Sequence, residues 1–268
     1  MIKVIALDLD NTLLNSNKQI SKRNEHVLKS LHNKGIHIVL CTGRPINAIW
    51  PLIEQLGLTD PEDYTITFNG GLVINNVSKK HLFELGMTRD DLKPLLKFVK
   101  EKNIPLDVLD YDRVYELSDQ PRSIYKTVLK NIEFKDTDSR DLKNTTYSKA
   151  VMAIPAEELA PIIRELPEEL KQKYHAVQSQ PMIMEFLPPK VNKSVGLQAL
   201  LQHFGLDFSN LMSFGDADND LEMIEAAAQG IVMKNGLPEV KKVATAITDS
   251  NDEDGVASYC ERYFATIL

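Results

Sequence analysis

The chain has 268 residues, is 43% hydrophobic and carries a formal net charge of -7, so it can bury a sizeable core and has length enough for two domains. The acidic balance speaks against a nucleic-acid or anionic-membrane surface, leaving room only for a local basic site. Two cysteines without CxxC spacing give no disulfide framework and fit a reducing, cytoplasmic setting, and no stretch approaches the ~18 uninterrupted apolar residues of a membrane span.

Val4, Ile5, Ala6 and Leu7 form an apolar run that predicts a strand buried on both faces, the kind found inside a parallel sheet. Asp8 breaks the run too early for a signal peptide. Ser21 predicts an N-cap for a helix with Val27, Leu28 and Leu31 on one face, stopped by Gly35. IHIVL (36–40) is a second buried strand ending in CTGRP, and Pro45 suits the first turn of a helix carrying Ile46, Ile49, Trp50, Ile53 and Leu56. YTITF and LVIN, flanking Asn69-Gly70-Gly71, predict a hairpin.

From about residue 82 the pattern changes. A helix near 88–102 leads to alternating strands in LDVLDYDRVYEL, a charged stretch at 133–144, a strand at KAVMAI, a helix near 156–173 and a strand at MIMEFL. Half-exposed strands with helices to one side predict an α+β domain with a mainly antiparallel sheet. Pro188-Pro189 punctuates its end, after which the opening style returns: a helix at 194–204 ended by Gly205, LMSF, GDADND opening a helix, IVM, an Asn235-Gly236 turn, a helix from Pro238, AIT and a last helix with Val256, Tyr259 and Tyr263. The expected fold class is therefore α/β: a Rossmann-like parallel-sheet core made of residues 1–82 and 188–268, with an α+β domain inserted at 83–187.

Ligands of open α/β sheets sit beyond the carboxyl ends of the strands. Three polar clusters follow buried runs there: DLDNT (8–12), CTGR (41–44) and GDADND (215–220). Any one of them alone reads equally well as a capped turn. Together they would converge Asp8, Asp10, Asp216, Asn219 and Asp220 with no histidine or thiolate pair, and an oxygen-only donor set of this kind suits a hard cation such as Mg²⁺. Carboxylates at positions 8 and 10 of an extended segment can face the same way, one to attack a phosphate ester and one to shuttle a proton. Thr42 offers a hydroxyl, Gly43 a backbone N–H and Lys193 an ammonium to phosphoryl oxygens. By composition Lys193 reads more readily as a solvated surface lysine; its place at the entrance of a core helix favours a role. Arg44 is open between contacting a substrate and capping.

These residues resemble the haloacid dehalogenase-like phosphatase superfamily: DLDNTLL is similar to its DxDxT signature, CTGR to its hydroxyl motif, Lys193 to its phosphate lysine and GDADND to its metal motif. TFNGG, IVMKNGLPEVKKVA and ITDSNDEDGVA resemble the Cof-type sugar-phosphatase branch, and the insert resembles that branch's large α/β cap. Ser194 stands where the family usually has Gly, and it can cap the helix. The resemblance implies Asp8 as nucleophile and metal ligand, and Asp10 as general acid/base offering the metal its backbone carbonyl. It implies Asp216 as a further metal ligand and Asp220 as a ligand or a residue behind one. Leu9 (through its N–H), Thr42, Gly43, Lys193 and Asn219 would hold the phosphate. The implied activity is Mg²⁺-dependent hydrolysis of small phosphate monoesters, sugar phosphates or related metabolites, through an aspartyl-phosphate. A phosphotransferase or mutase, and a metabolite-binding regulator that retains the site, are the alternatives. The expected partner is a small phosphorylated metabolite, with no nucleic acid and no membrane; the oligomeric state is unreadable.

Overall fold

A computed structural model describes residues 1–129 and 132–268. The chain divides into two compact units, Met1–Glu84 with Asn192–Leu268, and Leu85–Val191.

In the first unit, β1 (Val4–Leu7) is followed by α1 (Lys22–His32), β2 (His37–Leu40) and α2 (Ile46–Leu56). The Ser21 hydroxyl caps α1 by accepting from the Asn24 N–H, as its position predicts. Pro45 is the N-cap of α2 and not part of its first turn. β3 (Tyr64–Thr67), β4 (Leu72–Asn75) and β5 (His81–Glu84) form a small antiparallel sheet of their own. Its first two strands make the predicted hairpin in the register Thr67↔Leu72.

The second unit contains α3 (Arg89–Lys102), β6 (Asp107–Leu109), β7 (Arg113–Leu117), α4 (Tyr125–Val128), β8 (Glu133–Thr137), β9 (Lys149–Ala153), α5 (Ala156–Arg164), α6 (Glu168–Lys173), β10 (His175–Gln180) and β11 (Ile183–Leu187). Its sheet runs β10-β11-β9-β6-β7-β8, antiparallel except for the parallel β7–β8 pair. One face packs on the helices: Val108, Ala150, Met152 and Phe186 meet Leu92, Leu95 and Val99 of α3, Leu159 of α5 and Leu170 of α6. On the other face Leu109, Val114, Val151 and Ile183 lie with Tyr125 of α4.

Here two strands go unanticipated and one expectation fails. The charged stretch holds an edge strand, β8, because pairing with β7 satisfies its backbone whatever its side chains. The helix at 156–173 is two helices, since Pro167 caps α6 and cannot continue α5. HAVQSQ, with little apolar signal, is β10, ordered by its ladder to β11.

Back in the first unit come α7 (Lys193–His203), β12 (Leu211–Gly215), α8 (Leu221–Ala226), β13 (Gln229–Met233), α9 (Pro238–Lys241), β14 (Ala246–Thr248) and α10 (Gly255–Tyr263). The central sheet is entirely parallel, in the order β14-β13-β12-β1-β2. Ile5 and Leu7 point into a cluster with Val27, Leu28, Leu31, Ile53, Val256 and Cys260. Val4 and Ala6 face Val39, Leu197, Leu200, Met223 and Ile224 on the other side. Helices thus cover both faces, which is why β1 reads as unbroken apolar sequence. The chain leaves β1 towards β2 and later returns to place β12 on β1's opposite side, so the strand order reverses between β1 and β12. That reversal opens a crevice at the carboxyl edge, where ligands of such sheets bind.

Candidate active site

The register aligns Leu7 with Leu40 and with Phe214, so the residues after these three strands meet at one edge. The backbone N–H of Asp8 donates to the Phe214 carbonyl at 3.0 Å, extending the ladder one step and fixing where the Asp8 side chain starts. Lys193 opens α7, whose N-cap is Asn192, accepting from the Val195 N–H. Ser194 is therefore not the cap; its hydroxyl donates to Asn192 Oδ1 at 2.9 Å and steadies the residue that is.

Lys193 is wholly buried, which rules out the solvated reading. Its Nζ donates to Asp8 Oδ1 at 2.5 Å and to Asp220 Oδ1 at 2.6 Å. A buried ammonium persists only when paired, and two carboxylates meet that need. Burial disfavours the charged lysine, yet the charges of Asp8 and Asp220 outweigh it and hold its pKa above the ordinary value. Burial pushes the Asp8 carboxyl up; Lys193 pulls it down, while Asp220 and Asp216 add repulsion.

Asp220 is held at both ends: Oδ1 by Lys193, and Oδ2 by the backbone N–H groups of Asp216 (2.9 Å) and Ala217 (3.1 Å). Asp216 Oδ1 accepts from the Thr12 hydroxyl at 2.9 Å. Burial raises the Asp216 carboxyl to about 6, with Thr12 opposing and the Asp220 charge reinforcing. Ligand atoms of Asp8, Asp216 and Asp220 all lie within 4.8 Å of one another. Three acids facing one lysine leave a surplus of negative charge. With Asp220 fully engaged, the second oxygens of Asp8 and Asp216 are the donors in this cluster without a partner among the described residues. This hard-oxygen, electron-rich pair fits a divalent cation of the Mg²⁺ kind.

The remaining residues fall around this cluster. Thr42 is buried; its N–H donates to the Ile66 carbonyl at 2.9 Å, and its hydroxyl accepts from the Arg44 N–H at 3.1 Å. Gly43 is exposed beside it, and a side chain there would press within 3.1 Å of the Asn69 amide. Asn219 is exposed and donates to Asn69 Oδ1 at 3.3 Å. Leu9 has a fully buried side chain in the cluster beside α1 and α2, so only its backbone is available to a ligand.

Asp10 turns its carboxylate to Arg44 and Lys18. Partial burial raises its pKa, but hydrogen bonds and charge from those two cations prevail and hold it below the ordinary value. Arg44, open in the sequence between contacting a substrate and capping, pairs with Asp10 here.

Sequence reading missed Asn69 and Lys18 as neighbours of the site. Asn69 reads as part of a hairpin turn and of the TFNGG segment that resembles the Cof-type branch, with no role of its own. Phe68, Asn69 and Gly70 all have positive φ (51°, 54° and 97°), and the Asn69 N–H donates to the Thr42 carbonyl at 3.0 Å. A Cβ on Gly70 would fall 1.9 Å from the Asn192 carbonyl oxygen, so only glycine lets the hairpin tip approach the start of α7. Nothing in the local sequence marks Lys18.

A three-layer α/β fold with buried acids and a lysine at its topological switch point defines a family of hydrolases. The chain belongs to the haloacid dehalogenase-like hydrolases, whose family description matches residues 5–259. It is 32% identical over 258 residues to a protein of Streptococcus pyogenes serotype M6 provisionally named a phosphatase, covering 96% of each chain. It is 29% identical over 269 residues to the 5-amino-6-(5-phospho-D-ribitylamino)uracil phosphatase YitU of Bacillus subtilis, covering 98% of this chain and 97% of that one. The crystal structure of a haloacid dehalogenase-like hydrolase from Bacteroides thetaiotaomicron superposes with a TM-score of 0.82 at 32% identity, covering 98% of this chain and 100% of the other. Among the described residues no helix is long and apolar enough to cross a membrane.

Proposed function

We propose that the chain is a Mg²⁺-dependent phosphatase of small phosphate monoesters, sugar phosphates or related metabolites, working through an aspartyl-phosphate on Asp8. The observation that carries this reading is the buried Lys193 ammonium bridging Asp8 and Asp220. A merely structural core would gain by replacing such a cluster with apolar side chains.

In the first half-reaction an Asp8 oxygen attacks phosphorus in line with the ester oxygen. The P–O ester bond breaks, its electron pair stays on the leaving oxygen, and Asp10 supplies the proton, which it must first take up against the pull of Arg44 and Lys18. In the second half Asp10 takes a proton from water as that water attacks phosphorus, and the bond to Asp8 breaks with its electrons returning to the carboxylate. Lys193, the Thr42 hydroxyl, the N–H groups of Leu9 and Gly43 and the Asn219 amide stabilise the equatorial oxygens. Asp8 and Asp216, with Asp10 through its carbonyl, would hold the cation, and Asp220 secures Lys193 and the Asp216 backbone from behind. A cation there supplies screening between Asp8 and the anionic phosphate and polarises the phosphoryl oxygens.

The substrate class is supported by the name of the Bacillus subtilis relative, which specifies a phosphorylated ribityl group. The inserted unit Leu85–Val191 is the segment we assign to leaving-group selection, because residues that meet only phosphoryl oxygens cannot discriminate between esters. The test is phosphate release across a panel of phosphorylated metabolites with Mg²⁺ present, beside an Asp8→Asn control. Turnover well above that control on at least one sugar or polyol phosphate is expected; no turnover on any ester sinks the proposal.

A further inference from the structure

Asp10 does not stand alone in the site. Arg44 Nε donates to its Oδ2 at 3.0 Å and Arg44 Nη2 to its Oδ1 at 2.5 Å, a two-point fork on one carboxylate. Lys18 Nζ adds a third bond to Oδ1 at 2.9 Å. Both cations are themselves fixed. The Arg44 N–H is tied to the Thr42 hydroxyl, so the fork is anchored to the loop after β2. Lys18 sits at φ 60°, an uncommon conformation for a side chain of its size.

That conformation is imposed by a built turn. Asn15 Oδ1 accepts from the N–H groups of Asn17 and Gln19, the Lys18 N–H returns to the Asn15 carbonyl at 2.8 Å, and Asp252 grips Ser16 through both its N–H and its hydroxyl. Strained backbone held by this many bonds is a reason to look for a task at the strained residue. The side chains of Arg44, Asp10 and Lys18 are 36%, 39% and 56% exposed, and ion pairs this open add little to stability. Stability is therefore a weak reason for the arrangement.

We infer that Arg44 and Lys18 are positioning residues that fix the orientation of the Asp10 carboxylate for proton transfer; this rests on the phosphatase reading above. A bidentate guanidinium sets the plane of a carboxylate as well as its place. With both cations in position, three hydrogen bonds restrain rotation of the Asp10 carboxylate, and its one remaining lone pair, on Oδ2, keeps its direction. Proton transfer between oxygens tolerates little misplacement, so loosening the carboxylate should cost rate in the steps that use it and spare those that do not.

The two half-reactions separate these steps when the leaving group is activated. Para-nitrophenolate departs without a proton, so forming the phosphoenzyme from para-nitrophenyl phosphate bypasses Asp10. Breaking it down still requires Asp10 to take a proton from water. The experiment is rapid-mixing kinetics on the wild type, Arg44→Ala, Arg44→Lys, Lys18→Ala and, as control, Lys22→Ala, whose exposed lysine pairs with Glu25 of the same helix. Thermal melts are recorded in parallel.

For Arg44→Ala we expect nitrophenolate release in the first turnover at a rate close to wild type. A steady state slowed about 10-fold or more should follow. Lys18→Ala should show the same burst with a smaller slowing, Arg44→Lys partial recovery and Lys22→Ala no change, with melting temperatures near wild type throughout. A first turnover slowed as much as the steady state would overturn the inference, because the damage would then lie in phosphate binding. So would Arg44→Ala and Lys18→Ala variants with wild-type steady state. Wild type that turns over beside unaffected variants removes the positioning role alone, whereas wild type that releases no phosphate from any ester removes the phosphatase reading and this inference together.

Discussion

Both units bury acids, the first at the edge of its sheet and the second within it, and they treat them in opposite ways. In the first unit Asp8 and Asp220 close on Lys193, and Asp8 Oδ1 and both oxygens of Asp220 have donors. In the second unit Asp107, on β6 in the middle of its sheet, is 1% exposed, and neither of its oxygens has a hydrogen-bond partner among the described residues. Its carboxyl is raised by burial to about 6, with Ser123 and Arg122 pulling it down and Glu116 pushing it up. The Ser123 hydroxyl lowers the value without standing in bonding geometry. Buried charge that is paired and still open on one side is arranged for a ligand; buried charge left alone is only a cost. Substitutions in the two units should therefore act on different observables, activity in one and stability in the other.

The largest effect belongs to Asp8. Asp8→Asn keeps shape and removes the attacking anion, so turnover should fall by ~10³-fold or more while the fold survives. Acid-quench labelling should find no phosphoenzyme. A variant free of contaminating phosphatase that keeps more than a few per cent of wild-type turnover would take the role away from Asp8. Chelation comes next: EDTA should abolish activity, Mg²⁺ should restore it, and Ca²⁺ should support it poorly because it prefers more ligands at longer distances. Full activity after exhaustive chelation would contradict the reading of Asp8 and Asp216 as a cation site.

Lys193→Ala should lower kcat by roughly 10²-fold or more, the usual scale for a donor aimed at developing charge. It should also destabilise the first unit, since it leaves Asp8 and Asp220 buried together without a counter-charge. Lys190 is exposed, and Lys190→Ala should change neither quantity. Equal behaviour of the two variants would undo the argument from burial.

The same pair shows how much was legible. Apolar runs, caps and turn residues disclosed the parallel core, because each signal is local: VIAL buried on both faces, Ser21 at its cap, Gly205 after α7. The motif acids were legible for the same reason, lying at strand ends. Lys193 was named by its motif and its place before a core helix, but its burial was not legible, since the reason for it lies 185 residues back in sequence at Asp8 and 27 ahead at Asp220. Arg44 was ambiguous and Lys18 unmarked because their shared partner, Asp10, is fixed by folding and not by spacing. β8 and β10 escaped detection because edge strands are specified by the ladder they join more than by their own composition.

The smallest expected effect tests the other side of the comparison. Below the ordinary aspartate value of 3.8, Asp107 is protonated whether folded or unfolded and costs nothing. Between about 4 and about 6 the unfolded chain releases this proton while the folded unit keeps it, so the folded state binds more protons and stability falls as pH rises. Above about 6 both states are ionised and the penalty stays constant, at most ~3 kcal/mol from the size of that shift. Asp107→Asn replaces the acid by a neutral group of the same shape. It should stabilise the second unit at pH 7 by ~1–3 kcal/mol, less whatever its unpaired amide costs, and should leave stability below pH 4 nearly unchanged. Hydrogen exchange of the β6, β7 and β9 amides measures that unit without requiring the whole chain to unfold in one step. Other acids titrate in the same range, so the quantity to read is the difference between variant and wild type across pH. A difference that is flat from pH 4 to pH 7, or one of opposite sign, would mean that Asp107 is matched by a partner after all, and the contrast between the two units would fail at its second term.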